Sequence, residues 1–463
     1  MKQMDRKIAP EALSKEEFDS VVISVDEIGA TPPNIIYKNE EQEEQHGNKQ
    51  WRQGALFLMS YVLSLFSWRQ MKDSEIKRVA HSFKVGLALV LVSLLYMLEA
   101  VHDKLGDNAM WAVMTVVVVF EFTSGATISK GLNRGAGTIL GCGLGSLVAL
   151  LSQEIGGTGK AVAIGSSVFI FGATATYFRL APKIKKKYDY GALIFILTFS
   201  LVSVSGFRGD QIIKLSRDRL SSIMIGFSIC LFIAIFVSPV WAGDELHNSL
   251  SNKFDKLAES LEGCMEDYTC LLEGKKGTQS IRERIRSNCL SVLSSKSSDE
   301  ALANFATWEP WHGRFGFYYP WKKYLQIGDS LRELAAYIFS LTGCLQSINQ
   351  PPQEFLLNGV KERCESTCKL MGSTLREIGK NIKNMTSHGQ RDIMLVKLEN
   401  LRLELCSSTL QSSIEMLMNQ SGAIEGGTSF TSSVFLLGEI IGKVEVLIKE
   451  IQDFEKLANF PQK

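Results

Sequence analysis

Long apolar runs are concentrated in one block of the chain, between residues 80 and 242, and polar segments lie on both sides of it. Each run is close to the roughly 20 residues that an α-helix needs to cross the hydrocarbon of a bilayer. The pattern predicts six transmembrane helices, at residues 82–101, 109–125, 135–151, 161–180, 188–207 and 220–242. The predicted fold class is therefore an all-α membrane protein.

The flanking segments predict the rest of the organisation. Residues 1–50 lack the apolar core of a secretory signal, and residues 1–78 are predicted to be a cytosolic tail. Within it, an apolar run too short to span predicts an interfacial helix at 51–68. Residues 243–463 carry apolar side chains at three- and four-residue intervals, as at Leu250, Phe254 and Leu257, which predicts amphipathic helices. The chain is thus divided into a tail (1–78), a six-helix transmembrane domain (79–242) and a cytosolic helical domain (243–463).

Basic residues gather on one side of the predicted spans. They are Lys72, Lys77, Arg78 and Lys84 at the first helix, Lys130 and Arg134 after the second, and Lys183, Lys185, Lys186 and Lys187 after the fourth. Because cytoplasmic segments carry an excess of Lys and Arg, this side is predicted to be the cytosol, with both termini on it. The outward loop 208–219 carries Arg208, Lys214, Arg217 and Arg219. Either it forms a basic rim that attracts anions, or it is simply solvated.

Four basic residues are predicted to share one depth near the cytosolic ends of the spans: Lys84, Lys130, Arg134 and Arg179. Ionisable side chains are costly in hydrocarbon and usually face a partner or a water-filled path. Because rings of cations select anions, these residues are candidates for lining an anion pathway. The alternative for each is a side chain that extends to the lipid phosphates.

Two further features concern helix packing. Glu121 is predicted to lie deep in the second span at about the depth of Lys84, and an ion pair between them is expected. A structural role for this pair, in fixing helix register, is favoured over a role in transport. In the third span Gly137, Gly141 and Gly145 recur every four residues, so another helix can pack closely there; a hinge is the alternative.

Composition and motifs exclude several classes of function. The net charge is +1, without the clustered basic face that nucleic-acid binding needs. None of the nine cysteines lies in a short loop between spans, which fits a reducing cytosol. Residues 154–160 resemble a phosphate-binding loop only superficially, because Glu154 stands at its first glycine and Ala161 at its Ser or Thr. No metal-ligand set, cofactor motif or catalytic constellation emerges, so the chain is predicted not to be an enzyme.

Several short motifs occur in a fixed order along the chain. They are WAVMTVVVVFEFT at 111–123, GAT at 125–127, KGLNRG at 130–135, YDYG at 188–191, SGFR at 205–208, PVWAG at 239–243, LH at 246–247 and WEP at 308–310. These motifs closely resemble those of the plant aluminium-activated malate transporter family. Their order and spacing agree with the family from about residue 78 to 310. Chance agreement over such a length is not credible.

This resemblance implies a dimeric anion channel, permeable to malate and often to chloride or nitrate, with six spans per subunit and a cytosolic helical domain. It implies that 79–242 is a pore domain lined by basic residues. The positions carried over are Lys84, Lys130, Arg134 and Arg179. The partners expected are malate, inorganic anions, the lipid bilayer and a second subunit, and no cofactor is expected.

The resemblance also draws attention to two other groups of residues. Outward carboxylates are the natural ligands of a trivalent cation, and the candidates are Asp103, Asp107 and Asp210. Lys214 weakens this site, because aluminium-responsive members tend to be acidic there. Currents without added aluminium are expected.

The second group is the motif Trp308, Glu309 and Pro310. It lies in an aromatic segment that is predicted either to pack helices together or to dock the domain beneath the pore. The motif is predicted to form a structural corner at which Pro310 ends a helix. A contribution to gating is the sharper hypothesis.

Two other functions stay open. One is a proton-coupled secondary carrier of organic anions, in which the glycine-rich third helix rocks between access states. The other is a membrane anchor for a cytosolic interaction domain. A channel is favoured, because no intramembrane carboxylate relay is visible beyond Glu121 and because the four cations argue against a simple anchor. The plasma membrane is favoured over the vacuolar membrane.

Overall fold

The computed structural model describes residues 73–98, 109–205, 212–272, 279–313, 315–316, 319–346, 354–387, 391–418 and 424–461. Within these ranges all regular elements are α-helices. They are α1 (Asp73–Met97), α2 (Ala109–Val119), α3 (Ser124–Ile155), α4 (Gly157–Leu180), α5 (Pro182–Ser205), α6 (Ile212–Phe236), α7 (Ala242–Leu272), α8 (Gln279–Leu293), α9 (Lys296–Ala306), α10 (Trp321–Gln346), α11 (Glu354–Asn384), α12 (Arg391–Met418) and α13 (Ile424–Leu457). The predicted interfacial helix at 51–68 lies outside the described residues.

Five of these helices, α1, α3, α4, α5 and α6, are long and apolar enough to cross a bilayer. Helix α2 is apolar but has only 11 residues. At about 1.5 Å per residue it is roughly 16 Å long, whereas the hydrocarbon is about 30 Å thick. The protein is therefore a helical, multi-pass membrane protein, with five full-length candidate spans and one short apolar helix in its described part.

The boundary between the second and third predicted helices was wrong. Helix α2 ends at Val119 instead of continuing to 125, and α3 begins at Ser124 instead of 135. Thr123 has an extended backbone, and its hydroxyl accepts a hydrogen bond from the Ala126 amide, so it caps the start of α3. Lys130 and Arg134, predicted to follow the second span, consequently lie inside α3.

The close packing predicted for the glycines of α3 is confirmed. Helix α3 crosses α5 at Gly137, Gly141 and Gly145; an added Cβ atom would collide with α5 at the first two and make a tight contact of 3.0 Å at Gly145. At Gly137 it would lie 2.4 Å from the carbonyl oxygen of Gly191. Glycine is required there because the two backbones touch.

Amphipathic helices build the second half of the described chain. The apolar positions predicted from residue 250 onwards are buried in α7, and those from 437 to 454 are buried in α13. With side chains of α8 to α12 they form one hydrophobic core. Lys253 and Arg332 both contact the Asp299 carboxylate inside this part of the chain. Burial lowers the pKa of Lys253, and the Asp299 carboxylate opposes that shift.

Candidate functional site

A row of polar residues follows the length of α3. Its members recur every four residues: Lys130, Arg134, Thr138, Cys142 and Ser146. Such a row is inclined to the helix axis, and over 16 residues it extends about 24 Å, which is most of the thickness of the hydrocarbon. We call these five residues the polar row.

The polar row runs from α5 towards α6. At its first turns the Arg134 guanidinium donates to the Tyr190 hydroxyl of α5 at 3.1 Å. At its far end the Ser146 and Ser216 hydroxyls are 3.2 Å apart, and Ser216 belongs to α6. Between them the buried Thr138 hydroxyl has no hydrogen-bond partner within the described ranges. The row therefore contains a buried hydroxyl that no described residue uses.

Two buried arginines lie in this region, Arg134 on α3 and Arg219 on α6. Arg134 is 6% exposed and Arg219 is 5% exposed. The Arg219 guanidinium lies 3.7 Å from the centre of the Trp111 ring, and the two arginines interact electrostatically. In the part of the chain that the structure describes, neither forms an ion pair and the Nε atom of each lacks a partner.

Buried cations without a carboxylate are costly, because apolar surroundings do not replace the hydration of the charge. An anion between α3 and α6 would supply the missing partner. The arrangement can therefore bind anions, by charge and by N–H and O–H donation.

Lys84 of α1 is a third buried cation with a neutral partner. It is 3% exposed, and its ammonium donates to the carbonyl oxygen of Ser238 at 2.6 Å. His81, one turn earlier, contacts the rings of both Phe120 and Phe122. A carbonyl oxygen satisfies one N–H group of Lys84 but does not neutralise its charge.

The ion pair predicted between Lys84 and Glu121 was wrong, since Glu121 pairs with Lys130 instead. The reason is the break after Val119, which takes Glu121 out of a helix and into the turn that leads to α3. Lys130 therefore lies in the polar row but has its own carboxylate, and both side chains are about one-third exposed.

Arg179 also has a carboxylate partner. It forms a two-pronged ion pair with Asp189 at 2.9 and 3.3 Å, across the turn between α4 and α5. Of the four basic residues predicted to act together, Lys84 and Arg134 are thus buried without a carboxylate, whereas Lys130 and Arg179 are paired.

Sequence reasoning missed Arg219, which it assigned to an outward loop. Helix α6 begins at Ile212, so Arg219 lies two turns inside it. The polar row was missed as well, although its four-residue repeat is visible beside the glycine repeat of the same helix. Ser216 was missed with Arg219 because the predicted span began at 220.

Glu309 joins two helix starts. Its carboxylate accepts hydrogen bonds from the backbone N–H groups of Gly125 at 3.2 Å, Ala242 at 2.5 Å and Gly243 at 3.0 Å. Gly125 is in the first turn of α3, and the other two begin α7. A carboxylate at a helix N-terminus satisfies unpaired N–H groups and interacts favourably with the helix dipole. Glu309 does so for two helices at once.

Burial is the main influence on the Glu309 carboxyl. It raises the pKa of this group, while the N–H donors of Ala242 and Gly243, the charge of His312 and the Gly125 N–H act in the opposite direction. The ring of His312 stacks on Trp241 at 4.0 Å, just before α7. The pKa of the carboxyl is therefore raised on balance, although the surrounding polar groups favour its charged form.

The neighbours of Glu309 complete the corner. The Trp308 ring makes an edge contact with Tyr188 of α5, and the Lys187 ammonium lies 5.0 Å from the centre of the Trp308 ring. Helix α9 ends at Ala306, ahead of Pro310, so Pro310 does not itself end the helix as predicted. Its carbonyl oxygen is 2.8 Å from His312 Nδ1. The corner therefore contacts α3, α5 and α7.

The predicted cation ligands Asp103, Asp107 and Asp210 lie outside the described residues. Lys214 is described and its side chain is exposed. Among the residues that the structure describes, there is no group of three His, Cys, Asp or Glu side chains that could hold a metal ion.

The fold and the buried polar groups define the class: a multi-pass helical membrane protein with uncompensated cations in its bundle. A family profile described as "Aluminium activated malate transporter" matches residues 69–428. The chain is 40% identical to Aluminum-activated malate transporter 2 of Arabidopsis thaliana over 400 residues, which are 85% of this chain and 78% of that protein. It is 36% identical to Aluminum-activated malate transporter 1 of Triticum aestivum over 400 residues, 83% of each protein. The chain belongs to the aluminium-activated malate transporter family, whose members are transporters and not enzymes.

Proposed function

We propose that this protein is an anion channel that passes malate, and also chloride or nitrate, across a plant membrane. The observation that carries the proposal is a set of three buried cations without carboxylates: Arg134 in the polar row of α3, Arg219 on α6 and Lys84 on α1. An anion is costly to move into hydrocarbon, and buried cations in this position would lower that cost along a path through the bundle. The relatives are named as malate transporters, which supports malate as the substrate.

The proposal includes an arrangement in the membrane. Helix α2 with the turn that follows it acts as the sixth crossing, both termini are cytosolic, and α7–α13 lie in the cytosol. Support comes from the basic residues at one end of the spans, including Lys77 and Lys183. A homodimer in the plasma membrane completes the proposal, with the vacuolar membrane as the alternative.

A channel is preferred to a proton-coupled carrier. A carrier of that kind needs a carboxylate that is free to take up and release a proton. Glu121 is instead held in an ion pair with Lys130. The current of a channel reverses at the equilibrium potential of the anion, whereas the reversal potential of a proton-coupled carrier moves with pH.

The experiment is electrical recording from cells that express the full chain, with malate, chloride or nitrate as the main anion. Arg219→Gln and Arg134→Gln are expected to lower the malate current at least about tenfold. A unit charge about 5 Å from the anion contributes about 3 kcal/mol at an effective dielectric constant of about 20. Arg217→Gln is the control, because Arg217 lies on the same helix with an exposed side chain.

Equal currents and equal anion selectivity in Arg219→Gln and Arg217→Gln, at matched abundance in the membrane, would contradict an anion pathway between α3 and α6. The same recordings test the expectation that currents run without aluminium. A strict requirement for aluminium that Asp210→Asn abolishes would contradict it.

A further inference from the structure

An apolar groove runs along the membrane-spanning helices on the side away from the polar row. It has a volume of about 430 Å³ and lies between α3 and α4, with α5 as its floor. Its walls include Leu140 and Leu144 of α3, Phe171 and Phe178 of α4, and Phe195 of α5. This volume is in the range of sites that bind small molecules, and the lining suits a hydrocarbon.

The groove has the length and the openness that a lipid chain needs. From Asn133 to Leu144 it follows α3 for eleven residues, or about 16 Å. Ala136, Leu140 and Thr174 line it and are exposed, so it opens sideways to the bilayer. An acyl chain can therefore enter from the membrane without passing through the protein.

One end of the groove is positively charged. Tyr188 lines that end, and the Lys187 ammonium lies 5.5 Å from the centre of its ring. Asn133, also in the lining, donates to the carbonyl oxygen of Lys187 at 3.2 Å. Lys183, Lys185 and Lys187 are exposed, and none of them forms an ion pair with another described residue. Their charges are thus available to a group outside the protein.

We propose that this groove binds one acyl chain of an anionic phospholipid, with the headgroup held by Lys183, Lys185 and Lys187. Apolar walls select a hydrocarbon chain, and unpaired lysines at the membrane surface select a negative headgroup. The site is separate from the proposed anion path, because the groove and the polar row lie on different faces of α3. Since Lys187 and Tyr188 also contact Trp308, a bound lipid touches the corner that holds Glu309.

The test uses the full chain, purified in detergent with an equal mixture of phosphatidylglycerol and phosphatidylcholine that carry the same acyl chains. Native mass spectrometry counts the lipids retained per subunit. The unchanged protein is expected to retain phosphatidylglycerol in preference. Ala136→Trp and Thr174→Trp fill the groove from two helices and are expected to lower retention about tenfold, the effect of losing contacts to roughly two methylene groups. Ile139→Trp is the control, since Ile139 is exposed on α3 outside the groove.

The headgroup is tested by Lys183→Gln/Lys185→Gln/Lys187→Gln, which is expected to abolish the preference for phosphatidylglycerol and to leave binding of phosphatidylcholine. Equal retention in Ala136→Trp, Thr174→Trp and Ile139→Trp would overturn the proposal. So would dissociation of a dimer by the groove variants with unchanged lipid retention, because the groove would then be a subunit interface. Arg219→Gln should retain lipid normally, which separates this result from the proposed anion path.

Discussion

Removal of the Glu309 carboxylate tests whether this group holds the starts of α3 and α7 together. Glu309→Ala leaves three buried N–H groups, on Gly125, Ala242 and Gly243, without their acceptor. Each buried donor without a partner costs about 1–3 kcal/mol, so the sum is about 3–9 kcal/mol. Because whole proteins are stable by only about 5–15 kcal/mol, the alanine variant is expected to accumulate poorly.

Glu309→Gln gives a measurable version of the same change. The amide oxygen can still accept from Gly125 and Ala242, while its NH2 group faces the Gly243 N–H without bonding it. The expected loss is one buried hydrogen bond, about 1–3 kcal/mol, and the charge interaction with two helix dipoles, about 0.3–1 kcal/mol each. The expected destabilisation is therefore about 2–5 kcal/mol.

The assay is thermal unfolding of the full chain in detergent, followed by intrinsic fluorescence. Glu300→Gln is the matched control, because Glu300 precedes Glu309 by nine residues and forms an exposed ion pair with Lys186 at 2.8 Å. Exposed pairs contribute about 0–1 kcal/mol. The midpoint temperature is expected to be highest for the unchanged protein and Glu300→Gln, lower for Glu309→Gln and lowest for Glu309→Ala. Equal midpoints for the two glutamine variants would refute the explanation that Glu309 caps both helices. Unchanged voltage dependence of Glu309→Ala at normal abundance in the membrane would contradict a contribution of Glu309 to gating.

Two further substitutions test packing and buried charge by the same unfolding assay. Gly141→Ala is expected to destabilise the protein by about 1–3 kcal/mol, since its Cβ atom would lie 2.8 Å from a side-chain atom of α5. Gly143→Ala should be neutral, because nothing lies within 4 Å of its Cβ atom. Equal effects of the two variants would contradict close packing at this crossing. Asp299→Asn removes the carboxylate that buried Lys253 contacts and should cost about 3–5 kcal/mol, against about 0–1 kcal/mol for Glu262→Gln at an exposed pair. A mild effect of Asp299→Asn would show that water reaches this cluster.

Features that depend on local periodicity could be predicted from the sequence. The glycine repeat of α3 and the amphipathic faces of α7 and α13 are properties of single helices, and the structure uses them as expected. The family resemblance came from short motifs in fixed order, and it is confirmed by the match over residues 69–428.

Features that depend on an interruption of an apolar run could not be predicted in the same way. Hydropathy continues from 109 to 125, so the break that Thr123 caps was hidden inside one predicted span. The pairing of Glu121 with Lys130 follows from that break. Arg219 was assigned to a loop because its charge ended an apolar window, and only the contact with Trp111 reveals how it is covered.

Contacts between distant segments were the least accessible to prediction. The Glu309 carboxylate and the Gly125 amide are separated by 184 residues, and no repeat or spacing connects them. The motif at 308–310 showed that these residues mattered, but it did not show which helix ends they bind. Pro310 and an aromatic neighbour are enough to form a corner that only changes the direction of the chain. The buried Glu309 carboxylate additionally requires hydrogen-bond donors from other segments.

Helix α3 explains why those donors matter. Its first turn is held by Glu309, its glycines lie against the backbone of α5, and its polar row meets Ser216 of α6. Lys130 and Arg134 are only about one and a half and two and a half turns from the Glu309 contact at Gly125, on the same uninterrupted helix. Because an α-helix resists compression and bending over such a short distance, the start of α3 cannot shift without moving these two cations. The Glu309 carboxylate, which caps α7 as well, therefore also determines where the two cations of the polar row lie.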